Sequence, residues 1–311
     1  MCGATSSLVW VLARRSQYAP AASLTADLIR VGREANDPHL ESFGLVCAAS
    51  MGVVVGPLDE AVQQIEQARS ISRRLSATRM HANAGSVLAK CLLRQGRIAQ
   101  ASDVLHESMA VLEARGISDL FFIESVSAFT ELWLIQAECQ SGVERKRALR
   151  AARSACAKAL RCANKAAVAW RPETTRLHGT LAWLGGERSL AIRRWRKSIE
   201  IADQLKLPID RARGLLEIGE RTNDEPLVEQ ARGVFEAIGA QVDLALSLHV
   251  LARRAATAGA VEVALQRYAA AIAALEAAQA DEAFRVATRE RSRLLAASGR
   301  RDDARAEANP S

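Results

Sequence analysis

Five histidines and six cysteines are the residues of this 311-residue chain with the most chemistry to offer, and their spacing organises none of it. A zinc site or a redox dithiol needs its ligands close together, which a sequence announces as an H-x-x-x-H or a C-x-x-C. His39, His81, His106, His178 and His249 stand far apart, as do Cys2, Cys47, Cys91, Cys139, Cys156 and Cys162. Most of the cysteines lie beside leucine, valine or alanine, the setting of reduced thiols used as small core residues. No serine stands in a G-x-S-x-G turn, and no G-x-x-x-x-G-K-[ST] loop is present to cradle phosphates. The expectation is a protein with no catalytic residue, no metal and no cofactor, hence not an enzyme, whose chemistry is recognition through charge, amide and ring.

Charge is where the recognition chemistry concentrates. The chain carries 42 Lys and Arg against 35 Asp and Glu, a formal charge of +7. Residues 141–200 alone hold fifteen cations and four glutamates, so the remainder is net acidic. Lys146, Arg150 and Arg153 fall on one stripe of a helix, and Arg193, Arg194, Arg196 and Lys197 crowd the outer side of the helix that carries Trp195. Such a row is either a solvated face or a docking patch for an acidic surface. A protein partner with an acidic surface suits it better than nucleic acid.

The elements that must hold these residues follow from a recurring spacing. A turn glycine, an alanine five residues on and a large apolar residue four further appear as Gly56-Ala61-Ile65, Gly96-Ala101-Leu105, Gly186-Ala191-Trp195 and Gly259-Ala264-Tyr268. Alanine four residues before a bulky side chain places both on one helical face, where the small residue admits a neighbouring helix. Apolar periodicity with proline and glycine punctuation predicts helices near 7–16, 20–34, 38–54, 58–76, 79–94, 97–114, 118–139, 144–164, 172–184, 187–204, 208–222, 226–238, 242–258, 261–279 and 282–297. Almost no strand is expected, because alanine and leucine dominate and aromatics make up only 4% of the residues. The reading is an all-α, right-handed α-solenoid of about seven antiparallel hairpins of tetratricopeptide type. HEAT or armadillo repeats are the alternative that turn intervals of 40 to 46 residues leave open. The tetratricopeptide type is preferred because Leu88-Ala89, Ile218-Gly219 and Leu251-Ala252, with Gly179 and Ala49, put small residues where the two helices of a hairpin cross. The hairpin at 118–164 fits worst.

One domain is expected over 1–311, with a partial first repeat at 1–35 and a partial or frayed last repeat at 298–311, as though the chain had belonged to a longer array. The apolar run Leu8–Ala13 is too short to span a bilayer and lacks a preceding basic residue. A cytoplasmic protein with no membrane partner is therefore expected.

The tetratricopeptide register points Asn83, Lys90 and Arg94 into the concave groove from one first helix, with Ser86 beside them. It adds Arg176 and Trp183, with Glu173 and Thr180, from a second, then Arg213 and Glu220, then His249 and Arg253. Recurring cations there would suit a carboxylate or phosphate on the ligand. Trp195 reads as core, whereas Trp183 has the position of a ligand platform.

Residues 170–222, with Trp170, Gly179, Trp183, Gly186, Ala191, Trp195 and Gly219, resemble the tetratricopeptide-like helical arm of bacterial STAND or AAA-type signalling ATPases. Those proteins are associated with class III nucleotide cyclases, Ser/Thr kinases or LuxR-type regulators. Ala22–Asp37 and Phe235–Ala240 are similar to the beginning and end of that region. The resemblance implies a non-enzymatic protein-interaction or ligand-sensing scaffold, with a separately encoded or lost ATPase or effector as a further partner. No catalytic residue of the family has a counterpart here. A basic scaffold that binds nucleic acid or serves a transcription regulator is the alternative.

Overall fold

A computed structural model describes residues 2–117, 120–165 and 167–300. Among them are fifteen α-helices and no strand. They are α1 (Cys2–Arg14), α2 (Tyr18–Glu34), α3 (Pro38–Val55), α4 (Leu58–Arg74), α5 (Thr78–Arg94), α6 (Ile98–Ala114), α7 (Leu120–Cys139) and α8 (Gly142–Lys165). A single 3-10 turn, Val168–Trp170, leads into α9 (Arg171–Leu184), α10 (Arg188–Leu205), α11 (Pro208–Thr222), α12 (Glu225–Ile238), α13 (Gln241–Thr257), α14 (Val261–Ala277) and α15 (Asp281–Ala297). Each helix packs on the next as sequential antiparallel pairs, a tetratricopeptide-like solenoid. The partial repeat expected at 298–311 lies almost wholly outside the described residues.

The turns explain the order. Most helices end on one residue in the left-handed region, followed by an N–H that reaches back to a carbonyl five residues earlier. Arg97 N donates to Leu92 O at 2.8 Å, Ala240 N to Phe235 O at 2.8 Å and Asp37 N to Gly32 O at 2.8 Å. This closure satisfies carbonyls that a helix end leaves open and reverses the chain within three residues. Left-handed residues stand at 16, 36, 56, 76, 96 and 116, and again at 239, 259, 279 and 299, a strict interval of twenty. A hairpin is therefore forty residues long there, a helix of about seventeen plus a turn, twice. The region between is irregular: α7 has 20 residues and α8 has 24. That is the hairpin whose sequence fits the repeat least.

Small residues set how closely the paired helices approach. A Cβ on Gly179 of α9 would lie 2.4 Å from Cδ1 of Trp195 on α10, and one on Gly52 would lie 2.6 Å from the Ala61 Cβ. Ala191 and Trp195 are both fully buried. Ala49, Ala89 and Ala252 are equally buried at the other crossings. α3 is the one described helix long and apolar enough to match a membrane span. Its composition follows from its position, since α1, α2, α4, α5 and α13 all pack against it.

The array bends until its last helices reach the hairpins of α3 to α5. Leu58 N donates to Ala278 O at 3.3 Å and Asp59 N to the Gln279 side chain at 2.9 Å, which seats the start of α4 on the turn between α14 and α15. Leu58, fully buried, belongs to a cluster otherwise built by α13, α14 and α15. Gly96 completes the seam: a Cβ there would come within 2.2 Å of the Glu282 Cβ.

Candidate functional site

The odd-numbered helices from α3 to α15 touch one another in succession and form the inner wall of the curve. They carry a ladder of polar contacts from each hairpin to a following one. Asn83 donates to Glu124 at 2.9 Å, Arg176 to Glu217 at 3.0 Å, and His249 meets Glu290 at 2.7 Å, each pair 41 residues apart. Arg213 makes a two-pronged bond to Asp243, both contacts at 2.8 Å. Lys90 lies 3.5 Å from Glu173, Arg94 3.7 Å from Glu131 and Arg253 3.5 Å from Glu220. The groove cations expected from the sequence are all on this wall, but each has a carboxylate within ion-pairing distance. Their pairing removes the basis for expecting an anionic ligand.

At the centre of the ladder Glu173 is almost fully buried among Lys90, Arg14, Arg176 and Arg213. Burial pushes its carboxyl upward, but those four cations outweigh it and hold it at about 2. Burial likewise opposes the charge on Lys90, and Glu173, Glu124 and Glu131 outweigh it, so the ammonium group is held more firmly protonated than usual. Asp243 is held below the usual aspartate value, since Arg213 overcomes its burial. Asp210 goes the other way: burial, with Glu173 nearby, raises it despite a 3.0 Å contact to Arg14.

Beside this cluster lies a chamber of about 360 Å³. α1 forms one side of it through Val9, Trp10, Val11, Ala13 and Arg14, and α3 the other through Phe43, Val46, Met51, Val53 and Val54. α5 contributes Met80, Asn83, Val87 and Lys90, and Trp170, Glu173, Ile209 and Arg213 close the far side. α1 is held across the channel from both directions. Val9 is buried with Leu28, Leu40 and Cys47, while Trp10 stacks on Trp170 at 4.8 Å. Arg14 also donates to the carbonyl of Ala169. The walls are apolar, with polar groups gathered toward α5 and α9. Asn83 stands out among them, because Glu124 can only accept, so the Asn83 amide must turn its nitrogen to Glu124. Its Oδ1 is left buried without a hydrogen-bond partner.

Trp183 is not part of this chamber. It is half-buried in the α9–α10 contact, 5.6 Å from Trp195, with the Arg188 guanidinium 5.0 Å above its ring. Lys146, Arg150 and Arg153 on α8 and Arg193, Arg194 and Lys197 on α10 are exposed on the second helices of their hairpins, away from the chamber. Sequence reading missed α1 as a wall and also missed Trp170, Glu124 and Asp243. Their contributions depend on the curvature of the whole array, although the recurring 41-residue separation was a readable signal. Among the described residues no cluster of His, Cys, Asp and Glu has the makings of a metal site.

No protein-family model matches the chain, and no curated protein matches it. Solved structures do. A Rap protein complexed with Competence and Sporulation Factor superposes with a TM-score of 0.63 over 99% of this chain and 95% of that one, at 11% identity. A STAND protein with a tetratricopeptide repeat sensor from Pyrococcus horikoshii aligns with 96% of this chain at 13% identity and a TM-score of 0.47, and this chain spans about half of that one, 48%. At these identities the likeness is one of fold, and the fold is that of a tetratricopeptide-like helical-repeat array.

Proposed function

We propose that the protein is a non-enzymatic sensing scaffold whose concave channel takes a short extended peptide, one apolar side chain filling the chamber under α1. The observation that carries this reading is the chamber itself, apolar-walled and lined in part by Asn83, whose buried Oδ1 has no hydrogen-bond partner. A buried acceptor without a partner favours a ligand that supplies an N–H donor, and a peptide backbone supplies one beside each side chain. The ladder's internal neutrality disfavours a ligand recognised chiefly through phosphate or carboxylate groups. The Rap structure, solved with its factor bound, supports an array of this fold as a holder of a partner. The reading includes no nucleotide chemistry, so purified protein should bind no ATP saturably at micromolar concentration.

The test is affinity selection from a synthetic library of short peptides, read by mass spectrometry, with the native protein beside Val87→Trp, which fills the chamber, and Asn83→Ala. The native protein should enrich peptides with a shared apolar residue, and both variants should lose them. Enrichment of no peptide by the native protein over Val87→Trp would overturn the reading.

A further inference from the structure

The protein carries a second surface, on the side away from the channel. α8 and α10 are the outer helices of successive hairpins, both pack against α9, and Arg194 of α10 lies near enough to Cys156 of α8 to oppose the upward push of burial on its thiol. The two helices therefore present one face. Along α8 the inward positions are alanines, Ala148, Ala152, Ala155, Ala159 and Ala163, all buried. The opposite side exposes Lys146, Arg147, Arg150, Arg153 and Arg161. α10 adds Arg193, Arg194 and Arg196, also exposed.

What sets this face apart is its lack of neutralisation. On α2, Arg30 pairs with Asp27 and Glu34, and on α12, Arg232 pairs with Glu229 and Glu236. Among the described residues none of the eight cations just named on α8 and α10 has an ion pair, and Glu144 is the one acidic residue of α8. Arg145 differs, because it donates to the carbonyls of Ala137 and Leu184 and so pins the start of α8 to α7 and α9. The row is thus mounted on a fixed base. Exposed apolar residues also stand at the two ends of α8. Val143, 75% exposed, begins α8, and Val168, 47% exposed, follows it. They are separated by a helix roughly 36 Å long by the usual rise per residue.

We propose that this face docks an acidic protein surface, held electrostatically along α8 and α10 and anchored by apolar contacts at Val143 and Val168. Cations alone would serve a phosphate backbone as well. The apolar ends argue for a protein, because interfaces between proteins combine charge with buried apolar anchors. The absence of an exposed aromatic ring on this face points the same way, since single-stranded nucleic acid is held by stacking.

The experiment uses the full chain and three labelled probes: a helical peptide of glutamate and leucine as long as α8, the same peptide with glutamine for leucine, and random-sequence duplex DNA. Anisotropy titrations should show the leucine peptide binding about tenfold more tightly than the glutamine peptide, with Val143→Ser/Val168→Ser removing the difference. Arg150→Glu/Arg153→Glu/Arg193→Glu should weaken both peptides by about tenfold or more at low salt, and less as salt rises. Arg150→Gln/Arg153→Gln/Arg193→Gln should give an intermediate loss, and Val87→Trp none. An equal loss on reversing Arg30, Arg232 and Arg285, the last paired with Glu282 at 2.8 Å, would overturn the proposal, reducing the effect to net charge. So would binding ordered DNA first and both peptides alike, which would make the face a phosphate-binding one.

Discussion

At the scale of single residues, the channel wall is a study in compensation. Glu173 binds its proton in the folded chain only at about 2, against an ordinary value of 4.5. A depressed carboxyl contributes stability above its unfolded value and loses it as pH falls toward the folded one. About 3 kcal/mol should therefore disappear between pH 4.5 and 2, by the free energy that a shift of this size represents. Urea unfolding of the native chain and Glu173→Gln across that window measures it: the native slope should be the steeper. At neutral pH the same substitution leaves Lys90 and its neighbouring arginines under-compensated and should cost about 3–5 kcal/mol. Lys90, Arg176 and Arg213 were legible as inner-wall residues from the repeat register. Glu173 was legible with them, but Glu217 and Asp243 were not, because register says which side of a helix a residue faces and not which distant carboxylate the pitch of the array brings to it.

At the scale of the helix, sequence and structure agree closely, and the reason is local. The apolar stripe and turn chemistry that define a seventeen-residue helix lie within that helix, so α9 and α10 could be bounded to within a residue or two. The even interval of twenty was hidden because Ser16, Asn36, Ser76 and Gln279 do the work that glycine does at 96, 259 and 299. Counting glycines alone misses the turns at 16, 36, 76 and 279. The α9–α10 crossing offers the sharpest test. Trp195 is fully buried, its indole N–H donates to Arg176 O at 3.2 Å and its ring edge presses on Gly179. Trp195→Ala should cost about 3–5 kcal/mol through the cavity it leaves. Ala191→Leu should cost about 1–3 kcal/mol by overpacking the same contact. Thermal denaturation followed by circular dichroism checks both, and no change in either would mean that the crossing lies elsewhere.

At the scale of the whole molecule, the seam between α4 and the α14–α15 turn decides the shape. Gly96, at φ +77°, is favoured there twice over, by its backbone conformation and by Glu282 against it. Gly96→Val should open the seam, and small-angle scattering should record a larger radius of gyration with helix content retained. Nothing in the sequence reveals the seam, since Leu58 and Ala278 are ordinary apolar residues of their own hairpins and meet only once twelve helices have accumulated their turn. The seam also bears on how the array comes apart. An open stack of repeats frays from its ends, because the terminal units have a neighbour on one side only. Here the C-terminal end of the stack is covered, because the turn into α15 finds a second neighbour in the start of α4. Amide hydrogen exchange should then be as slow in α14 as in α9 and α11, and in Gly96→Val the protection should fall first at α15 and α14 and advance inward, a fraying that the closed chain suppresses.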